Sequence, residues 1–309
     1  MHHTSASTLN LAHAKPEIRL TAAAWIFMLL CSLLPTILLL EIFHASTDWL
    51  LPARLGLIGA ALALSLVVKW IRPLRGFFFI LIAIMLTELL MNWVSSQPFW
   101  VSIFGRPDAP FVQSMFSAQM TRLGVSILMI AAMVALGWTR QRFYLARGDL
   151  RAPAEPVAWL GINASEPWTR LGRNLGLAIT GGTLLFLFLA GRPSAGVLLQ
   201  SLAYIPAVLL FATLNAFNEE LTYRSSLLGA LQPVLGRQSI WIAALFFGIG
   251  HFYGVPYGIV GVLMASFLGW LLGKAMVETR GFFWSWFIHF LQDVAIFWFM
   301  AAGSITPGG

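Results

Sequence analysis

Residues 197–231 read VLLQSLAYIPAVLLFATLNAFNEELTYRSSLLGAL, an apolar run broken by Asn218-Glu219-Glu220-Leu221-Thr222-Tyr223-Arg224. As a helix the run would span about 50 Å at 1.5 Å per residue, against a hydrocarbon core of about 30 Å. It must therefore tilt, run past the bilayer or bend near its charged residues. Two adjacent carboxylates and a guanidinium in such a segment are expensive, which makes them a functional-site candidate by default.

The rest of the chain has the same character. It is 59% hydrophobic and 10% charged, far from the roughly half apolar and quarter charged of soluble domains. Runs long enough to cross a bilayer recur at Leu20–Phe43, Leu55–Trp70, Gly76–Val94, Leu123–Trp138, Leu175–Ala190, Val197–Leu231, Ile240–Pro256, Ile259–Leu272 and Phe282–Met300. The expected fold is all-α, a polytopic transmembrane helical bundle of about eight or nine spans. The organisation follows: residues 1–140 as an amino-terminal transmembrane region without assigned role, 141–172 as a cytoplasmic loop, and 173–302 as the membrane core carrying the chemistry.

The net charge of +7 does not point to nucleic acid, because the basic residues sit singly at the ends of apolar runs. The richest loop, Arg140 to Arg173, belongs in the cytoplasm by the positive-inside rule. Alternating the spans then puts Lys15, Arg19, Lys69, Arg72, Arg75, Arg237, Lys274 and Arg280 inside, with an interior amino terminus and an exterior carboxyl terminus. The run Leu20–Phe43 exceeds a signal-peptide core and should remain as the first helix. His2 and His3 are too few to form a metal tract. The lone Cys31 excludes an intramolecular disulfide and reads as a packing residue.

Ser95 to Met120, with Trp100, Pro107 and Pro110, reads as an exterior loop or interfacial piece without chemistry. Glu88 is mid-span and reads as a buried carboxyl bonded to Asn92, four residues on, in preference to a second functional acid. Gly250, Gly254 and Gly258, and likewise Gly269 and Gly273, have the spacing that lets membrane helices approach closely.

The chemistry concentrates in three segments. In an α-helix Glu219 and Glu220 point about 100° apart, so they serve different roles. Glu220 and Arg224 have the i, i+4 order in which acid precedes base, a clamp. Glu219 shares a face with Asn215, Thr222 and Ser226, which should line a watered cavity. His251 follows Phe247 by four residues, where a phenyl ring can wall off that cavity. His289 and Asp293 are also at i, i+4, so the carboxyl can reach the imidazole. Counted at 1.5 Å per residue from the interior turns near Arg237 and Arg280, Glu219, His251, His289 and Asp293 all fall about 14–27 Å into the membrane.

Other intramembrane chemistries lack their marks. No His-Glu-x-x-His helix of a zinc protease and no Gly-x-Ser-x-Gly elbow occurs, nor an aspartate pair of the aspartyl type.

Glu219-Glu220-x-x-x-Arg224, Phe247-x-x-x-His251 and His289-x-x-x-Asp293, in this order, resemble the three motifs of the CPBP family. These are the CAAX protease and bacteriocin-processing proteins, also called Abi, related to the type II CAAX prenyl protease. The resemblance covers about Gly172 to Met300. It implies an intramembrane endopeptidase in which Glu219 and His251 activate water, His289 and Asp293 hold the oxyanion, and Glu220 and Arg224 support them. The substrates it implies are membrane proteins with a lipidated tail, a leader or a sorting tag. The expected location is a bacterial inner membrane, although the arginine-rich interior loop fits an endoplasmic reticulum membrane equally. Asp293 stands where prenyl proteases carry asparagine, and an ionised aspartate only accepts hydrogen bonds. It must then be protonated to hold an oxyanion, or else fix the tautomer of His289.

No cofactor is implied, but a zinc version stays open, with His251, His289 and Asp293 as ligands and Glu219 as base. Two readings from other classes also remain: an ion-coupled transporter using the same four residues as a relay, and a non-catalytic immunity or interaction protein.

Overall fold

The computed structural model describes residues 17–105 and 109–305. Lys15, His2, His3 and Pro107 lie outside them. Thirteen α-helices form among the described residues. Seven continuous helical stretches are long and apolar enough to cross a membrane, and a bent pair makes an eighth. Their outer faces carry Leu64, Ile127, Leu177, Leu185 and Leu263, all exposed, as expected where lipid is the solvent.

The first span is broken. Helix α1 (Ile18–Cys31) turns by 48° into α2 (Leu34–Ile37), which widens into a π turn over Leu38–Ile42. Ser32 causes the break together with Pro35: the Ser32 hydroxyl donates to Leu29 O and accepts from Leu34 N, while proline has no N–H to continue the ladder. Arg54 of α3 (Leu50–Val67) satisfies the freed carbonyls of Leu30 and Ser32 at 3.0 and 2.8 Å.

Helix α4 (Arg75–Ser95) and the short α5 (Pro98–Phe104) precede α6 (Phe111–Ala135). The expected span Leu123–Trp138 therefore begins twelve residues too late, and part of the supposed loop Ser95–Met120 is helix. The first half of α6 is polar enough to hide from hydropathy, yet Ser117 and Gln119 are buried against the bundle.

Helices α7 (Trp168–Gly191) and α8 (Ala195–Ser201) lead to α9 (Ile205–Glu219) and α10 (Ser226–Leu235). A six-residue π turn over Glu220–Ser225 joins the last two. The continuous stretch Ala195–Leu235 has 41 residues, and the widened turn falls on the charged residues. π turns are rare and cluster at functional sites.

Helix α11 (Gln238–Gly250) is only 13 residues long, not the expected Ile240–Pro256. It ends where glycines and Pro256 stop the helix, so His251 caps it. Gly254 and Gly258 lie in the following loop and form no packing stripe. In α12 (Ile259–Thr279), by contrast, Gly269 packs as expected: a Cβ there would meet Ala244 Cα at 3.2 Å. Helix α13 (Phe283–Gly303) closes the fold against α7 and α9.

The basic segments gather at one end. The turn before α4 and the start of α11 approach the segment between α6 and α7, through contacts of α10 with Arg72–Leu74, the Arg142 Nε to Gly229 O bond and the Arg237–Glu155 ion pair. That segment also crosses the α12–α13 turn: Gly148, at φ +74°, would carry a Cβ only 2.6 Å from Gly281 Cα, so neither backbone tolerates a side chain there. Asp149 N donates to Thr279 O and Phe282 N to Ala146 O. A two-residue hairpin, β1 (Pro153–Ala154) with β2 (Glu166–Pro167), completes this cap. Lys274 is not a free loop charge; it is buried in α12 and paired with Glu278.

Candidate active site

The three segments meet. Glu220 is fully buried, and its carboxylate accepts hydrogen bonds from Arg224 Nη1, from Ser285 Oγ and from His289 Nδ1, the last at 2.8 Å. A buried carboxylate is tolerable when paired and hydrogen-bonded in this way. Arg224, also fully buried, further donates from Nε to Gly269 O at 3.2 Å and lies over the Phe247 ring at 4.7 Å. The expected Glu220–Arg224 clamp is present, and Ser285 is a member of it that the sequence did not reveal.

Glu219 points elsewhere. Its side chain is 13% exposed and lines a cavity of about 630 Å³ whose walls also include Arg54, Arg122, Tyr223, Phe247 and His251. A second pocket of about 260 Å³ adjoins it, sharing Glu88, Asn92, Arg122, Glu219 and Tyr223. Leu81, Ile84 and Met85 of α4 give the cavity an apolar wall, while Glu88 and Asn92 further along the same helix, Arg122 of α6 and Glu219 of α9 give it a polar one.

His251 Nδ1 lies 2.9 Å from Phe247 O. A carbonyl only accepts, so Nδ1 carries the proton and Nε2 is the nitrogen left for other work. Phe247 stands between the histidines, 4.3 Å from the ring of His251 and 5.9 Å from that of His289. It walls the cavity as expected and separates the two imidazoles.

His289 and Asp293 differ from expectation in their partners. With Nδ1 on Glu220, His289 turns Nε2 toward Glu219 Oε2 at 3.6 Å and Asp293 Oδ2 at 3.7 Å, too long for hydrogen bonds. Asp293 therefore does not fix the tautomer of His289; Glu220 does, because it reaches Nδ1 at bonding distance. Asp293 Oδ2 instead accepts from Asn215 Nδ2 at 3.0 Å. Both residues are about 5% exposed, and neither lines the cavity.

Of the four residues assigned to one polar face, Asn215 and Glu219 serve the site, and Thr222 lines the adjoining pocket. Ser226 does not: it is fully buried and donates to Thr222 O within its own helix. The π turn shifts the register that an α-helix would have given it.

The amino-terminal half supplies a wall of the site, which the sequence did not reveal. Arg122 of α6 donates from Nη1 to Asn215 Oδ1 and lies 3.2 Å from Glu219 Oε1. Gln119 Nε2 donates to the same Asn215 oxygen at 3.1 Å, and Ser126 Oγ to Asn218 Oδ1 at 2.9 Å. Glu88 of α4 accepts from Tyr223 OH at 2.6 Å, not from Asn92. Polar residues within otherwise helical, amphipathic α6 were the available signal.

Among the described residues no group of three His, Cys, Asp or Glu side chains is arranged to hold a metal ion.

Residues 200–295 match the family described as Rce1-like, type II CAAX prenyl endopeptidase Rce1-like. No curated protein and no solved structure matches the chain. The matched segment contains Glu219, Glu220, Arg224, His251, His289 and Asp293, and excludes Glu88 and Arg122. The chain is an integral membrane protein, and about a third of it, residues 200–295, is similar to that family.

Proposed function

We propose that this chain, with its Rce1-like core over residues 200–295, is an intramembrane endopeptidase that cleaves a peptide bond near a membrane-embedded or lipid-modified segment by glutamate-activated water. One observation carries this reading: of two adjacent glutamates, Glu220 is consumed by three donors, while Glu219 faces a cavity shared with the unengaged Nε2 of His251.

Water held between Glu219 and His251 Nε2 gives its proton to Glu219 as its oxygen adds to the scissile carbonyl. The C–N bond then breaks as that proton passes to the leaving amine. Glu219 thus acts as base and then acid, and His251 orients the nucleophile. His289, held by Glu220, stands behind Glu219 with Nε2 toward its Oε2. The apolar wall of the cavity suits a membrane-embedded or lipidated substrate, and the polar wall leads water to a dry site. By the positive-inside rule the basic end faces the cytoplasm, and the membrane we propose is a bacterial plasma membrane.

Glu219→Gln keeps the shape and removes the base. Terminal-peptide mass spectrometry of membranes from cells with wild-type or Glu219→Gln protein should find peptide ends that require the wild type, next to hydrophobic or lipidated segments. Equal cleavage by both proteins would overturn the reading, and ion flux lost with Glu219→Gln would favour a transporter. The reaction we propose needs no metal. Activity that survives chelation and returns no zinc by elemental analysis agrees with it, and loss on chelation with recovery on adding zinc overturns that part.

A further inference from the structure

The intermediate in such a hydrolysis carries a negative oxygen, which needs hydrogen-bond donors facing the substrate. His289 and Asp293 are buried and line no part of the cavity. Arg122 does line it, along with the adjoining pocket, and its side chain is 49% exposed. A guanidinium has five N–H donors. Only Nη1 is engaged, by Asn215 Oδ1 and Glu219 Oε1, and among the described residues Nε and Nη2 have no hydrogen-bond partner.

The way Arg122 is held is also specific. Arg122 and Gln119 both donate to Asn215 Oδ1, which turns the Asn215 amide nitrogen toward Asp293 Oδ2. A chain of hydrogen bonds thus runs from Asp293 on α13 through Asn215 on α9 to Arg122 on α6. It fixes Nη1 of the guanidinium beside Glu219 in a side chain that lines the cavity, and leaves Nε and Nη2 without a partner among the described residues.

We propose that Arg122, which lies outside the family-matched segment, is a catalytic residue that holds the oxyanion formed when Glu219-activated water adds to the scissile carbonyl. This rests on the protease reading above. As the new C–O bond forms, the carbonyl π electrons move to its oxygen, and the Nε and Nη2 N–H groups of Arg122 hold that charge. They release it when the carbonyl re-forms and the C–N bond breaks. Asn215 and Asp293 are positioning residues that act through Arg122.

The test uses the full chain in proteoliposomes and a fluorogenic membrane peptide built around a cleavage site found by terminal-peptide mass spectrometry. Arg122→Met should lower kcat by about 100-fold or more with KM changed less than threefold, the usual loss for one oxyanion donor. Arg122→Gln keeps a donor for Asn215 without the charge and should also lose at least about 30-fold in kcat, so the role stays testable if Arg122→Met fails to fold. Arg122→Lys should recover part of the loss. A kcat within threefold of wild type in Arg122→Gln, or a rise in KM with kcat intact, would overturn the role while leaving Glu219 as base. If no cleavage depends on Glu219, the protease reading falls and this role with it.

Discussion

His289 Nδ1 meets Glu220 Oε1 at 2.8 Å, and this bond ties the last helix to the two-glutamate turn. It also decides which imidazole nitrogen faces Glu219. The neighbouring glutamates therefore divide their labour: Glu220 holds the frame, and Glu219 meets the cavity.

Removing Glu220 strands a buried cation. Glu220→Ala should destabilise the protein by about 3–5 kcal/mol, read as a lower melting temperature in detergent. The double change Glu220→Met with Arg224→Leu should regain most of that stability and not the activity, because His289 stays without its acceptor. Normal cleavage by the double variant would show that the orientation of His289 is dispensable.

Asp293 works as an acceptor for Asn215, so its charge matters less than its oxygen. Asp293→Asn, whose Oδ1 can still accept, should keep activity within about tenfold, while Asp293→Leu breaks the chain to Arg122 and should lose 100-fold or so. Equal loss in both variants, measured at matched folded protein, would refute the acceptor role.

Two ion pairs at the basic end should differ sharply. Arg237–Glu155 is exposed, with side chains 66% and 48% accessible, and Glu155→Ala should cost under about 1 kcal/mol. Glu278 is only 11% exposed and accepts from buried Lys274, from Trp168 Nε1 at 2.9 Å and from Glu155 N at 3.3 Å. Glu278→Ala should cost about 3–5 kcal/mol, since Lys274 is left buried and unpaired. Chemical denaturation of both variants in the same micelles decides the point.

In the segment between α6 and α7, burial pushes the Tyr144 phenol up to about 12. The folded state therefore keeps a proton that the unfolded chain loses near pH 10. The linked stability is fully present below about pH 10 and is lost as pH rises toward 12, about 2–3 kcal/mol in all. Tyr144→Phe should flatten this alkaline decline in a pH series of melting temperatures. An unchanged slope would place the sensitivity elsewhere.

The sequence exposes most of the carboxyl-terminal half of the site, because Glu219, Glu220, Arg224, His251, His289 and Asp293 are polar groups in apolar runs. Local spacing identified the Glu220–Arg224 pair correctly. It failed for His289, where the i, i+4 carboxyl of Asp293 lost to Glu220 on another helix. The same limit hid the Tyr223–Glu88 bond behind the nearer Asn92. Arg122 and Gln119 were missed for another reason: hydropathy averaged over α6 treats its buried polar face as loop. The breaks at Ser32 and Gly250 depend on backbone hydrogen bonding that a span count does not weigh.

The π turn over Glu220–Ser225 gives the long charged helix two indexings. Residues before it are counted from the face that meets the cavity, and residues after it from the face that packs on α11. One extra residue per turn keeps both counts in step with their neighbours. Losing a single residue anywhere in that turn would rotate one half against the other by about 100°. Substitutions there test individual groups, whereas a deletion would unthread the alignment of the whole motif at once.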